Sequence, residues 1–304
     1  MRESVTYDDM LLIPQYSAIK SRTEVDLSQQ LAVSPSITLG VPIISSPMDT
    51  ITGVDMAIAM NHCGGLGIIH RYNTIEEQAT MVRSCDSTGA AIGVTDDFEL
   101  KDSYGNNIHL MAGNVATLEA FNDLADWGAD SIRCGIGGGS ICTTRIQTGH
   151  GVSGLQTIFD CAQSDRDAKI IADGGIKNSG DIVKALAAGA DFVMLGSLMA
   201  GTLETPGQLL SYTDGSKRKA YRGMASKKAQ KEWRGTASTA EGIETTVHYK
   251  GNVSDVIKDL VGGIKSGCSY TGAASLAELR TSAKWNRQTG ASMAESLPHI
   301  LGRG

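Results

Sequence analysis

Seven short runs of apolar residues, each ending in glycine or a polar group, constrain this chain more than any other feature. They are 41–47 (VPIISSP), 66–70 (LGIIH), 90–94 (AAIGV), 109–114 (HLMAGN), 131–136 (SIRCGI), 169–175 (KIIADGG) and 192–197 (FVMLGS). Continuous runs, rather than alternating ones, are what strands covered on both faces look like. Between them, 74–84, 117–127, 157–163 and 179–188 place apolar residues three and four apart, and two of these stretches end in a Gly-Ala-Asp step at 128–130 and 189–191. The repeated strand, loop, helix cadence predicts an α/β fold of the (β/α)8 TIM-barrel type. One unit is missing from it. Only fourteen residues, TDDFELKDSYGNNI, separate Val94 from His109, enough for one tight crossover but not for helix, strand and helix. A seven-strand chain must close a smaller barrel or leave a gap, and buried unpaired edges are costly, so 95–108 is expected to plug or bridge that gap.

A chain of 304 residues is long enough for one barrel domain spanning 1–304. Within it, 202–251 breaks the cadence: a polar hairpin at 212–221 turns at Asp214-Gly215, and a charged excursion at 226–242 reads as a flap or as a solvated loop. Amphipathic helices return at 255–264 and 273–280, and 291–304 reads as a surface arm. The net charge of −6 comes with no basic run, which argues against nucleic acid as a partner. Six cysteines stand at 63, 85, 134, 142, 161 and 268 without a C-x-x-C pair, so neither a zinc site nor a disulfide framework is indicated and a reducing compartment fits. The first residues lack a signal-peptide core and no run of 18 apolar residues occurs, so a cytoplasmic protein without a membrane span is expected.

Chemistry gathers where barrel strands end. The densest such stretch is 135–145, GIGGGSICTTR. Its glycines let the backbone approach a ligand, Ser140 offers a hydroxyl to a phosphate, and Cys142 lies beside Thr143, Thr144 and the charge of Arg145. A glycine-rich turn around a buried, inert cysteine would read the same way. Asp173-Gly174-Gly175 suits ribose recognition, with a carboxylate for hydroxyls and free amides for phosphate, and Gly196-Ser197 repeats the device one strand later. Tyr221, Gly223 and Met224, within YRGM, could close over the same phosphate. His70 reads as a strand-end core histidine, and Glu241 as a solvated carboxylate unless the excursion folds inward.

Together these stretches resemble the IMP dehydrogenase and GMP reductase family over nearly the whole chain. The resemblance is carried by TYDDMLLIP, SSPMDT, GNVAT, GIGGGSICTTR, IADGGIKNSGDI, MLGS, YRGM, EGIE, YKG and GGIKSGCSYTGA. It implies that Cys142 attacks carbon 2 of a purine mononucleotide, GMP or IMP, to form a covalent thioimidate, with Thr144 and Glu241 relaying protons. It implies that Asp173 holds the ribose, that Ser140, Gly174, Gly175, Gly196, Ser197 and Tyr221 hold the phosphate, and that Ser46 and Met48 line the base pocket. Carbonyls of Gly137, Gly139 and Cys142 would match a potassium site. Cofactor contacts would come from Ser21, Arg22 and Asn114, with Ser266 to Ser269 supplied by a neighbouring subunit of a homotetramer or larger assembly.

The two branches of the family differ in the excursion. Dehydrogenases hydrolyse the thioimidate with a water-activating Arg-Tyr pair, whereas this chain has Trp233-Arg234, and it also lacks their regulatory insertion. Both absences favour a GMP reductase using NADPH; the stretch 287–300 looks more like a dehydrogenase ending. The missing β/α unit would carry the family's acidic contact to the nicotinamide ribose, and Asp96, Asp97 and Tyr104 are the candidates to replace it. A non-redox exchange of the purine 2-substituent, or a nucleotide-binding protein with a lost cofactor site, therefore stays open beside the two redox readings.

Overall fold

Each apolar run contributes a strand to one parallel sheet: β1 (Ile43–Ser45), β2 (Leu66–Ile69), β3 (Gly89–Ala90), β4 (Met111–Val115), β5 (Ser131–Cys134), β6 (Lys169–Asp173) and β7 (Phe192–Leu195). The computed structural model describes residues 3–92 and 108–298. Residues 93–107, on which the expected bridge and the candidates Asp96, Asp97 and Tyr104 fall, lie outside the described residues. The strand order is β3-β2-β1-β7-β6-β5-β4, with every pairing parallel. The last strand thus returns to the first, as a (β/α)8-type barrel requires, while β3 and β4 are the outermost strands among the described residues.

The apolar runs are continuous because both faces of the sheet are buried. Ile44, Ile171, Phe192 and Met194 join an inner cluster, into which Leu31 and Leu39 of an antiparallel hairpin (Gln29–Ala32 with Ile37–Leu39) also pack. Their neighbours Ile43, Ala172, Val193 and Leu195 join the larger cluster between sheet and helices. The helices of that layer are α1 (Val54–His62), α2 (Ile75–Arg83), α3 (Leu118–Asp126), α5 (Gly154–Cys161) and α6 (Ser179–Ala187), while α4 (Thr144–Thr148) is a single short turn in the loop after β5. Thr74, Thr117 and Asn178 cap the N-termini of α2, α3 and α6 with their side chains. The Gly-Ala-Asp steps have a physical reason as well. Asp130 accepts the amide of Leu110 at 2.6 Å, and Asp191 accepts that of Ile170 at 2.8 Å, so each aspartate fixes the start of the preceding strand against its own.

The 202–251 excursion is an antiparallel sheet of Leu210–Ser211, Lys217–Arg222 and Glu244–His248, with its turn at Asp214-Gly215 as expected. Where the sequence showed little apolar periodicity, the structure has a helix, α7 (Lys227–Arg234), capped by Ser226. It rests on buried Ala229 and Gln230 and on a Trp233–Tyr72 stack, 5.2 Å between centroids, rather than on an apolar stripe. The chain continues through α8 (Val253–Thr271), α9 (Leu276–Ser282) and α10 (Gly290–Glu295). Before α10, Trp285–Arg287 pairs with Met10–Leu12, so this part of the chain is tied to the N-terminal segment. Among the described residues no helix is long and apolar enough to cross a membrane.

Candidate active site

The loops after β5, β6, β7 and β1 meet at one end of the sheet. Gly135, at φ 144°, leaves β5 so close to β6 that a Cβ on it would lie 2.0 Å from the Asp173 carbonyl oxygen. Gly174, at φ 89°, likewise runs against the backbone of Gly138 and Gly139. Only residues without a Cβ permit this approach, so the two glycine-rich turns form one continuous cradle of backbone.

On the rim of the cradle, Cys142 is half-buried, unlike Cys134, Cys161 and Cys268, which are buried. Its thiol donates to Thr144 Oγ1 at 3.2 Å, and Thr144 Oγ1 donates to Glu241 Oε2 at 2.7 Å. The excursion does fold inward: Thr143 N–H donates to the Glu241 carbonyl at 2.9 Å, and Ile243 N–H to the Ile141 carbonyl at 3.0 Å. Thiol, hydroxyl and carboxylate therefore stand in line, the arrangement needed to move a proton away from or back to a reacting centre. Arg145 departs from expectation. Its guanidinium donates to the carbonyls of Ile136 and Val152, and its side chain lies against Gly137 and Gly151, instead of flanking the thiol.

Behind the thiol, Ser140 Oγ and Tyr221 OH are 3.2 Å apart. A Cβ on Gly196 would lie 3.3 Å from Met48 Sδ, 3.5 Å from Tyr221 OH and 3.8 Å from Ser46 Cβ, so these four residues share one small volume. Burial pushes the Tyr221 hydroxyl above its ordinary pKa, against hydrogen bonds from Ser140 and Ser197, and the Asp173 charge adds to the rise. Tyr221 thus stays a protonated donor. Gly223 packs against the Gly242 Cα, and the Met224 carbonyl accepts from Tyr72 OH at 2.6 Å. His70 is buried, and burial pushes its imidazole pKa down, as expected of a core histidine. Gly175 lies over the buried ring of Tyr7.

Three contributions were not read from the sequence. Arg133 Nη2 bonds Asp173 Oδ2 at 2.8 Å. Arg222 joins Asp49 through Nε at 2.9 Å and Glu232 through Nη1 at 2.6 Å, tying the loop after β1 to α7. Tyr7 supports the Gly175 turn from below. A signal existed for the first: Arg133 is a charge inside an otherwise apolar run.

The expected cofactor contacts do not converge within one protomer. Asn114, at the end of β4, gives its amide to the Gly135 carbonyl at 2.9 Å and to Asp173 Oδ2 at 2.7 Å. Ser21 is spent capping the turn Arg22–Glu24, which packs on α8. Ser266 and Ser269 lie on α8 in the outer layer, where Ser266 lines a cleft of about 480 Å³ with Leu12, Pro14, Lys184 and Tyr270. Of the carbonyls expected to hold potassium, that of Gly139 accepts the Cys142 amide at 3.0 Å. Three oxygens from one loop suit a hard cation in kind but fall short of the roughly six it takes.

The model of the IMP dehydrogenase / GMP reductase domain matches residues 4–97 and 86–299. The chain belongs to this family. The two matched segments overlap at 86–97, which includes β3, one of the two outermost strands among the described residues. Among family members, the chain is 33% identical to the inosine-5'-monophosphate dehydrogenase of Borreliella burgdorferi over 398 aligned positions, covering 98% of this chain and 97% of that protein. It is 32% identical to that of Staphylococcus aureus over 474 positions (99% and 96% covered), and 30% identical to that of Nitrosopumilus maritimus over 471 (98% and 98%). These alignments exceed the 304 residues of the chain, so the relatives carry stretches without a counterpart here. All three relatives are oxidoreductases by name.

Proposed function

We propose that this chain binds a purine mononucleotide, attacks carbon 2 of its base with Cys142, and runs in the reductive direction, GMP to IMP and ammonia. The observation that carries this reading is the line Cys142–Thr144–Glu241 at the mouth of the cradle. Ser140, Ser197, Tyr221 and the amides of Gly175 and Gly196 take the phosphate, Asp173 the ribose, and Ser46 and Met48 flank the base. The thiol adds to carbon 2 while Thr144, backed by Glu241, passes a proton to the departing amino group. The carbon–sulfur bond forms, the carbon–nitrogen bond breaks, and ammonia leaves a thioimidate on Cys142. NADPH, when bound, supplies the hydride that releases the product. Asn114 is the one expected cofactor contact at the strand ends, so Ser21, Arg22, Ser266 and Ser269 serve a neighbouring copy's site, which requires a homo-oligomer such as a tetramer. Nothing is assigned to potassium beyond the carbonyls of Gly137, Gly139 and Cys142 as part of its shell.

The excursion supports the reductive direction. Its Trp233 is stacked on Tyr72 and its Arg234 is exposed, so neither stands in for a water-activating Arg-Tyr pair. Oxidation of IMP to XMP with NAD is the second reading, supported by the names of the relatives. The experiment is to supply GMP with NADPH and, separately, IMP with NAD, following nicotinamide absorbance and the purine products. IMP and ammonia from GMP bear the proposal out; steady XMP from IMP reverses the direction; ammonia from GMP without any nicotinamide turnover replaces it with a non-redox exchange.

A further inference from the structure

Asp173 is held by residues from the two neighbouring strands β5 and β4. One of its oxygens, Oδ2, accepts Arg133 Nη2 from β5 at 2.8 Å and Asn114 Nδ2 from β4 at 2.7 Å, while Asp173 itself ends β6. The Arg133 and Asp173 side chains are 25% and 16% exposed, shielded enough for a charge-assisted bond to hold a fixed geometry. Gly113, before Asn114, runs so close to β5 that a Cβ there would lie 2.8 Å from Arg133 Cβ, which presses β4 onto this pair. Asp173 leads directly into Gly174, whose backbone runs against Gly138 and Gly139, and its carbonyl oxygen lies against Gly135, so the residue sits at the edge of the nucleotide cradle.

A carboxylate oxygen offers about two acceptor directions, and two donors fill Oδ2. The other oxygen is left for the ligand. We propose that Arg133 and Asn114 are positioning residues that saturate Oδ2 and aim Oδ1 at the ribose hydroxyls, making the site selective for ribonucleotides over deoxyribonucleotides. This rests on the reading of the cradle as a purine-mononucleotide site. It gives Asn114 a task on the substrate side, although the resemblance places it among cofactor contacts. Without the two donors the carboxylate would rotate, and a ribose hydroxyl would gain little over a hydrogen at the same carbon.

The test is calorimetric binding of GMP, 2′-deoxy-GMP and 3′-deoxy-GMP, without cofactor, to the full chain and to Arg133→Met, Arg133→Lys and Asn114→Ala. The unaltered protein should prefer GMP over at least one deoxy analogue by roughly tenfold or more, the worth of one hydrogen bond to a charged group. Arg133→Met and Asn114→Ala should shrink that preference to about threefold or less and leave deoxy-analogue affinity nearly unchanged. Arg133→Lys, which keeps the charge, should restore part of it. A merely structural role would weaken all three ligands together and leave their ratio alone. Where Asn114→Ala does not fold, Asn114→Ser gives the same readout, its hydroxyl being too short to reach Asp173. No preference in the unaltered protein, or a ratio that survives both losses, overturns the proposal. Failure of reductase turnover with the preference intact overturns the reaction and leaves the proposal standing, whereas failure of GMP to bind at all overturns both.

Discussion

The contiguous strand ends of β7, β6 and β5 and the two outermost strands among the described residues, β3 and β4, are two contrasting parts of one sheet. In the first part, each strand end leans on its neighbour: Gly135 on Asp173, Gly174 on Gly139, Gly196 on Met48 and Tyr221. The groups assigned to the nucleotide are thereby fixed by backbone contact and by hydrogen bonds such as Ser140–Tyr221. In the second part, β3 has two residues and β4 bonds only to β5, so no paired strand end stands between them among the described residues. The contrast teaches that binding of the purine nucleotide and handling of the cofactor need not survive or fail together. The two parts meet where Asn114 of β4 bonds Asp173 of β6.

The most severe way to break this comparison is at the thiol. Cys142→Ala should lower turnover by at least about a thousandfold while GMP still binds, since the covalent path goes and the cradle remains. Turnover near the unaltered level would end the thioimidate mechanism.

Removing the phosphate from the ligand probes the first part by itself. Guanosine should bind at least roughly a hundredfold more weakly than GMP, about 2.7 kcal/mol, because the amides and hydroxyls around Ser140, Gly175 and Ser197 have nothing left to hold. Equal affinity in a calorimeter would show that the cradle is not where the ligand is anchored.

The comparison itself is tested by titrating NADPH and GMP separately. NADPH should bind about tenfold more weakly or worse, with GMP unaffected by its absence, because among the described residues no paired strand end stands between β3 and β4 to receive the ribose. Comparable affinities would mean that residues 93–107 or a neighbouring copy complete the cofactor site, and the two parts would then be equals.

The smallest effect is expected at the Arg222–Glu232 pair. Glu232 is half exposed, so Glu232→Gln should cost no more than about 1 kcal/mol in stability and change turnover less than about fivefold. A much larger loss of turnover at unchanged stability would show that this pair, rather than the backbone bonds of Glu241 and Ile243, holds α7 over the site.

Much of the fold was legible because burial on both faces writes itself into a strand as an unbroken apolar run. All seven strands of the parallel sheet follow from such runs, and the turn at Asp214-Gly215 was marked by its residue types. Helix α7 was not legible, since it is held by Gln230 and by Trp233 on Tyr72 rather than by an apolar stripe. Pairing of Met10–Leu12 with Trp285–Arg287 was also invisible, because partners so far apart in the chain share no local signal.

The site divides along the same line. By itself the sequence singled out Cys142, the glycine-rich turns and the family, since these depend on residue types at short spacing, and it showed that only fourteen residues separate Val94 from His109. Only the tertiary structure decided that Glu241 reaches Thr144, that Arg145 turns away from Cys142, and that Arg133 and Asn114 converge on Asp173. The physical reason is that a side chain's task is set by which strand end or helix face it leaves from and what lies within about 3 Å of it. Neither is recorded in the order of residues along the chain.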